Sequence, residues 1–306
     1  VKVATAAVCT WLMGGGREQI VNAVSQAFVD GQPLRTYRHA PNTGSRKSWA
    51  AGDATARGVL LAIFSCRGEM GYPAALSAPN WGFYDVLFGG RAFCLPRSYG
   101  SYVIENILFK ISFPAEFHAQ TAVECAVELH PQVAGRLDSI ARVLIRTHES
   151  ALRIIDKKGA LHNPADRDHC LQYMVAVALI SGKLTGEDYE DSAAADPRID
   201  ALRAKIEVRE EPRFSADYLD PAKRSIANAV QVVFTDGSRT AELISEYPLG
   251  HCRRRAEGIP VLLEKFRRHL ARRFSPQQQE RIEQSSRDVE QLSALAVHDY
   301  LDQYVP

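Results

Sequence analysis

The sequence predicts a mainly α protein in which a helical domain is interrupted by a smaller α+β insertion. Three observations lead there. Apolar residues recur at helical spacing toward both ends of the chain. The stretch 115–250 mixes helical with alternating patterns, and an Asp236-Gly237 pair sits between two β-rich runs. The chain has 306 residues, 46% hydrophobic and 24% charged, which places it in the ordinary globular range with enough apolar material for a sizeable core.

Taken in order, Val1 to Val8 enters a small-residue helical pattern with no initiator Met and no basic leader, and is expected to be a fragment entered part-way through a helix. From Arg17 to Phe28, the residues Ile20, Val21, Val24, Ala27 and Phe28 mark an amphipathic helix that Asp30-Gly31-Gln32-Pro33 should end. A polar loop from Thr36 to Gly44 leads into a buried helix over Ser45–Cys66, with Ser45 as its expected cap. One more helix is expected over Ala115–His130, then a half-buried strand over Ala141–Thr147 and a helix from Asp166 to Ser181. Ala229–Thr235 and Arg239–Ser245 flank the Asp-Gly pair as a hairpin. Ile259–Phe274, Pro276–Arg287 and Asp288–Tyr300 return to helical periodicity with charges on one face. The expected organisation is a helical domain over 1–114, a mixed domain over 115–250, and C-terminal helices over 251–306 that pack back on the first part, with the cleft between domains as the default site.

Charge and cysteine usage narrow the function. Lys+Arg of 37 against Asp+Glu of 36 leaves no excess field for a phosphate backbone, so no nucleic-acid partner is expected. The basic runs Arg253-Arg254-Arg255 and Arg267 to Arg273 lack interleaved aromatics and read as solvated helix faces or contacts to a phosphate-like ligand. No apolar run reaches 18 residues, so no membrane span is expected. Cys9, Cys66, Cys94, Cys125, Cys170 and Cys252 are scattered without C-x-x-C spacing, which points to reduced thiols in a cytosolic compartment rather than a metal or iron-sulfur site. Gly14-Gly15-Gly16 fits neither phosphate-loop pattern.

Three polar clusters could carry chemistry. The first, Arg35, Tyr37, Arg38, His39, Asn42, Thr43, Gly44, Ser45, Arg46 and Lys47, surrounds the start of a helix, where unpaired N–H groups and cations suit a carboxylate or phosphate. A solvated loop with a routine cap would have the same composition. The second, Lys110 to His118, carries Lys110, Glu116 and His118. A desolvated lysine or a near-neutral imidazole suits proton abstraction, although lone residues of these types also occur as ordinary surface or core polars. The third, Asn163 to Tyr173, would place Asp166, His169 and Tyr173 near one helix face, an arrangement that capping and amphipathicity explain equally well.

Seven collinear stretches resemble the MmgE/PrpD family across essentially the whole chain. They are LRTYRHAPNTG (34–44), RKSWAAGDAT (46–55), WGFYD (81–85), FKISFPAEFH (109–118), NPADRDHCLQYM (163–174), EYPLGH (246–251) and RRRAEGIP (253–260). Within the family they are most similar to the branch that dehydrates 2-methylcitrate. The resemblance implies a helical domain with a mixed lid domain, and a cytoplasmic hydro-lyase of the methylcitrate cycle in propionate catabolism, possessing no cofactor or metal, acting on a small tricarboxylic acid, including citrate, as a homodimer. Family members begin further upstream, so the chain is expected to lack the family's N-terminal portion. Non-catalytic binding by a fragment, and a related decarboxylase or epimerase reaction on the same scaffold, are the alternatives.

Residue by residue, Lys47 matches the family lysine after the Asn-Thr-Gly loop, and Lys110 matches the lysine before the Phe-Pro turn. His118 closes the same motif. Tyr173 falls at a family tyrosine facing the cleft, with His169 and Gln172 nearby. The implied catalytic set is Lys47, Lys110, His118, His169 and Tyr173, and the implied substrate-binding set is Arg38, His39, Asn42, Arg46 and Gln172. With no cysteine cluster in the chain, these side chains are expected to stabilise the enolate-like carboxylate and protonate the leaving hydroxide in place of an iron-sulfur Lewis acid.

Overall fold

The computed structural model describes residues 1–31, 34–39, 42–95, 100 and 106–305. They divide into two compact units, Val1–Gly100 and Ser101–Pro306.

The first unit is helical, as its small-residue periodicity predicts. Helices α1 (Lys2–Leu12), α2 (Arg17–Val29) and α3 (Arg46–Cys66) pack on one another around Ala6, Ala23, Ala27 and Leu61. Small side chains bring the helices close. A Cβ on Gly58 of α3 would lie 2.8 Å from Thr5 Cβ and 2.9 Å from the Lys2 carbonyl of α1. Lys2 Nζ donates to the carbonyls of Asp30 (2.6 Å) and Gly31 (2.8 Å), a cation at the C-terminus of α2. The stop of α2 lies where the sequence places it, although Gln32 and Pro33 are outside the described residues. Ser45 is at the cap position of α3, but its side chain makes no capping hydrogen bond; its carbonyl instead accepts from Ser48 Oγ at 2.7 Å. A short helix α4 (Phe83–Phe88) ends on Gly89 in the left-handed conformation.

The second unit is mixed, with a four-stranded sheet in the order β2-β1-β3-β4. Strand β1 (Ile140–Thr147) runs parallel to β2 (Ile206–Glu210) and antiparallel to β3 (Asn228–Phe234), and β3 pairs antiparallel with β4 (Leu243–Ser245). Helices α5 (Gln120–Val133) and α8 (Leu171–Ser181) pack together, and α5 lies against β3 and β4. Every residue of α8 from Leu171 to Leu179 is buried, as befits a helix apolar all round. Between β1 and β2 the chain also forms α6 (Glu149–Ile155), α7 (Pro164–Arg167), α9 (Asp191–Ala194) and α10 (Pro197–Arg203). Helix α11 (Pro212–Leu219) follows β2, and α12 (Arg255–Leu270), α13 (Pro276–Arg287), α14 (Val289–Ala294) and α15 (Val297–Asp302) complete the chain.

Three expectations change in detail. The single helix over Asp166–Ser181 is two. Asn163 Oδ1 accepts from Asp166 N (3.0 Å) to cap α7, and the chain restarts at Cys170, so Asp166, His169 and Tyr173 do not share a helical face. The hairpin forms, but as a three-residue loop. Phe234 N donates to Ser238 O (2.9 Å) and Gly237 takes φ +83°, while Thr240 engages β3 irregularly and delays β4 to Leu243. The last expected helix breaks at Leu295 into α14 and α15.

One backbone contact pins the approach to Lys110. Phe109 N donates to Gly250 O at 3.1 Å, and a Cβ on Gly250 (φ +151°) would lie 1.9 Å from Phe109 O. Gly250→Ala is therefore expected to lower the unfolding free energy by roughly 1–3 kcal/mol, read as a lower urea midpoint. An unchanged midpoint would show that the two segments can separate freely.

Candidate active site

The Phe-Pro turn delivers two ionisable side chains from one short stretch. Glu116 ends an extended segment and caps the 3-10 turn Phe117–Ala119 by accepting from His118 N at 2.8 Å. The same carboxylate lies 2.9 and 3.1 Å from His118 Nδ1. Burial by itself pushes the Glu116 carboxyl up, but the hydrogen bonds and charge of His118, with a smaller contribution from His169, outweigh it and hold the group below the usual carboxylate range. An ionised carboxylate only accepts, so Nδ1 carries a proton, and in the neutral form of the ring Nε2 presents its lone pair. Nε2 lies 3.2 Å from the Tyr218 hydroxyl of α11. Carboxylate, imidazole and phenol thus form one hydrogen-bonded chain.

Two further residues fix this chain in place. Asn228, fully buried at the start of β3, donates from Nδ2 to the His118 carbonyl (2.9 Å) and to Thr121 Oγ1 (2.7 Å), tying the turn to the sheet. His148, fully buried where β1 ends, stacks on the Tyr218 ring at 4.5 Å and 8°, with its centroid 5.1 Å from that of His118. Neither ring nitrogen of His148 has a hydrogen-bond partner among the described residues. Burial, helped by the His118 charge, pushes its pKa down to about 4, so it is a neutral stacking ring near neutral pH.

The other expected site residues of this unit are near the chain or in the core behind it. Lys110 Nζ donates to the Ala115 carbonyl at 2.8 Å, bracing the turn that leads to Glu116. His169 is half-buried, with Nδ1 3.0 Å from Asp168 Oδ1, and is close enough for its charge to act on Glu116. Tyr173 is buried inside α8; its hydroxyl donates to the Asp188 carbonyl at 2.6 Å, and burial pushes its pKa up to about 12. Gln172, also buried, donates to Asp156 Oδ1 and accepts from Cys170 Sγ.

The remaining expected residues belong to the first unit. Thr36–Arg38 forms a 3-10 turn, and Asn42 N donates to His39 O at 2.9 Å, although Ala40 and Pro41 of this loop are outside the described residues. Arg46 stacks over Trp49 at 4.3 Å and pairs with Asp53 at 2.6 Å, while Arg38 lies 5.5 Å from the Tyr37 ring centroid. Lys47 is half-buried in the first turn of α3, whose N-terminus adds positive potential. This is a cationic, aromatic surface suited to carboxylates.

Sequence reasoning placed Glu116 beside His118 without assigning it a role, and it missed His148, Tyr218 and Asn228. The Glu-x-His spacing in FPAEFH was a usable signal; the other three come from distant elements with no local motif. Among the described residues, no group of three or more His, Cys, Asp or Glu side chains is arranged to hold a metal ion. No helix among them is long and apolar enough to cross a membrane.

A family model described as the MmgE/PrpD C-terminal domain matches residues 113–291. The chain belongs to the MmgE/PrpD family. A second model, the MmgE/PrpD N-terminal domain, matches residues 1–95, so the expected lack of the family's N-terminal portion is not borne out. Among MmgE/PrpD relatives, a 2-methylcitrate dehydratase of Salmonella typhimurium is 62% identical over 308 residues, covering 100% of this chain and 64% of the relative. The 2-methylcitrate dehydratase of Cupriavidus necator is 62% identical over 99% of this chain and 63% of its own length. A relative named 2-methylcitrate dehydratase, mitochondrial, from Yarrowia lipolytica is 58% identical over 100% of this chain and 59% of its length. The chain thus spans somewhat under two thirds of the length of these MmgE/PrpD relatives.

Proposed function

We propose that the chain acts as a hydro-lyase on 2-methylcitrate, eliminating water to give 2-methyl-cis-aconitate in the methylcitrate cycle of propionate catabolism. The observation that carries this reading is the Glu116–His118–Tyr218 chain within a sequence 62% identical to a bacterial 2-methylcitrate dehydratase. Elimination removes a proton from a carbon bearing a carboxylate, turns that C–H electron pair into the double bond, and releases the neighbouring hydroxyl as water. His118 Nε2, oriented through Nδ1 by Glu116, is the base in this reading. Lys47 and Lys110, with Arg38, His39, Asn42, Arg46 and Gln172, bind the substrate carboxylates, each good charge-assisted contact contributing about 1.5–3 kcal/mol. His169 or Tyr173 protonates the leaving hydroxyl, and Tyr173 does so only after releasing the Asp188 carbonyl.

The proposed organisation keeps the helical domain over 1–114, the lid domain over 115–250 and the C-terminal helices over 251–306, in a cytoplasmic homodimer. Exposed Trp11, Leu12, Trp81 and Phe93 on the first unit support an association that covers apolar surface. The test follows the ultraviolet absorbance of the new conjugated double bond on mixing with 2-methylcitrate and a chelator, using the chain and a form extended to the length of its relatives. A rise from either is the expected result. No rise from both, when folded, would overturn the reading.

A further inference from the structure

The second unit also contains a cleft of about 590 Å³ that Glu116, His118 and Tyr218 do not line. One wall is the segment Ile111–Pro114, a second is the loop 182–187 that follows α8, and the third is the end of α12 with the turn beyond it. Lys265, Arg268 and His269 share a face of α12 by their i, i+3, i+4 spacing, and Arg272 extends that face past the helix end. Lys183 faces them from the α8 loop. Four lining cations stand against one lining carboxylate, Glu187, which lies 3.7 Å from Arg272.

Basic residues at a helix C-terminus are commonly there to complement its dipole. Arg267 also has carboxylates to neutralise it, Glu283 at 2.8 Å and Glu264 at 3.8 Å. Arg268 has no ion pair or side-chain hydrogen bond among the described residues. The Lys265 ammonium is held below its ordinary pKa by burial and then by Arg268 and Lys110, and His269 is held down by burial and then by Lys265, Arg268 and Arg272. The lining therefore carries an excess of positive charge that Glu187 offsets only in part, and a bound anion would relieve the repulsion.

We infer that this cleft is a binding site for a small polyanion with at least two adjacent negative charges, held by Lys183, Lys265, Arg268 and Arg272. The shared chemistry is clustered anionic oxygen, available from a polyphosphate or from a polycarboxylate. Arginine in the set suits bidentate contact with either group. The site is open and its cations are largely exposed, so its affinity falls steeply with salt.

Calorimetric titration of the purified chain at low ionic strength tests this, with pyrophosphate in one arm and tricarballylate, a tricarboxylate with no hydroxyl to eliminate, in the other. Saturable binding in at least one arm is expected, weakened by about tenfold or more in Arg268→Glu and again in Lys265→Glu. Arg153→Glu, the same charge change at an exposed side chain of α6, is expected to alter it by less than about twofold. Binding of pyrophosphate alone assigns a phosphate site, and binding of tricarballylate alone a carboxylate site. Binding in neither arm overturns the inference. So does binding that the two cleft variants leave intact, or that Arg153→Glu weakens equally. Unfolding curves check that each variant remains folded, above all Lys265→Glu, since Lys265 is half-buried and its Nζ donates to the Lys110 carbonyl.

Discussion

His118→Asn is expected to lower turnover of 2-methylcitrate by roughly two to four orders of magnitude while leaving the chain folded. Asparagine retains a polar group near Glu116 but supplies no lone pair able to take a proton near neutral pH. The turn should survive, because the bond from Asn228 is made to the His118 main-chain carbonyl and not to the imidazole. Glu116→Gln is expected to act in the same direction. The amide keeps the shape, but it no longer fixes the proton on Nδ1 or stabilises the imidazolium formed when His118 takes the substrate proton. Steady-state kinetics separate the roles, since loss in kcat with little change in KM is expected when an interaction matters chiefly in the transition state. Turnover like that of the unmodified chain in His118→Asn would remove the imidazole from the mechanism.

The second large effect is on acid stability and comes from His148. Its pKa is about 4 when folded against 6.5 for the ordinary side chain, so between those values the unfolded chain binds a proton that the folded chain refuses. Its contribution is fully present above pH 6.5 and is lost as pH falls toward 4. At about 1.4 kcal/mol per pH unit of difference, the loss amounts to about 3 kcal/mol. Of the charged groups facing it, His118 pushes its pKa down and Glu116 pushes it up. Glu116, held below the ordinary carboxylate range, loses its own contribution at still lower pH. His148→Phe keeps the stack on Tyr218 and removes two unpartnered nitrogens, so denaturant midpoints between pH 7 and 5 should decline less steeply than in the unmodified chain. Equal slopes in the two proteins would place the titration elsewhere.

The helices of the first unit were legible because their apolar residues keep one period and their ends carry stop signals. Arg17–Phe28 became Arg17–Val29, and Ser45–Cys66 became Arg46–Cys66. Strand β2 was not legible, since Ile206-Glu-Val-Arg-Glu210 is short and charged and becomes a strand only by pairing with β1. The break between α7 and α8 was hidden because Asn163-Pro164 starts a helix that lasts one turn, while buried Cys170 starts the next. At the candidate site, Glu116 and His118 are two residues apart and could be read together. Tyr218 reaches His118 across 100 residues of chain, and His148 arrives at the end of a strand, so only the sheet reveals either.

The bond from Asn228 to the His118 carbonyl also bears on how the site breathes. Asn228 is in the β3 ladder, opposite Ser245, and its side chain holds the turn that presents the imidazole. Fraying at that turn alone must break a buried hydrogen bond, whereas opening of β3 releases the turn with it. The imidazole therefore belongs to the same cooperative unit as the sheet, and its amide neighbourhood should exchange with solvent on the slow timescale of the strands rather than the fast one of a loop. A base held in this way keeps its aim until the sheet itself opens.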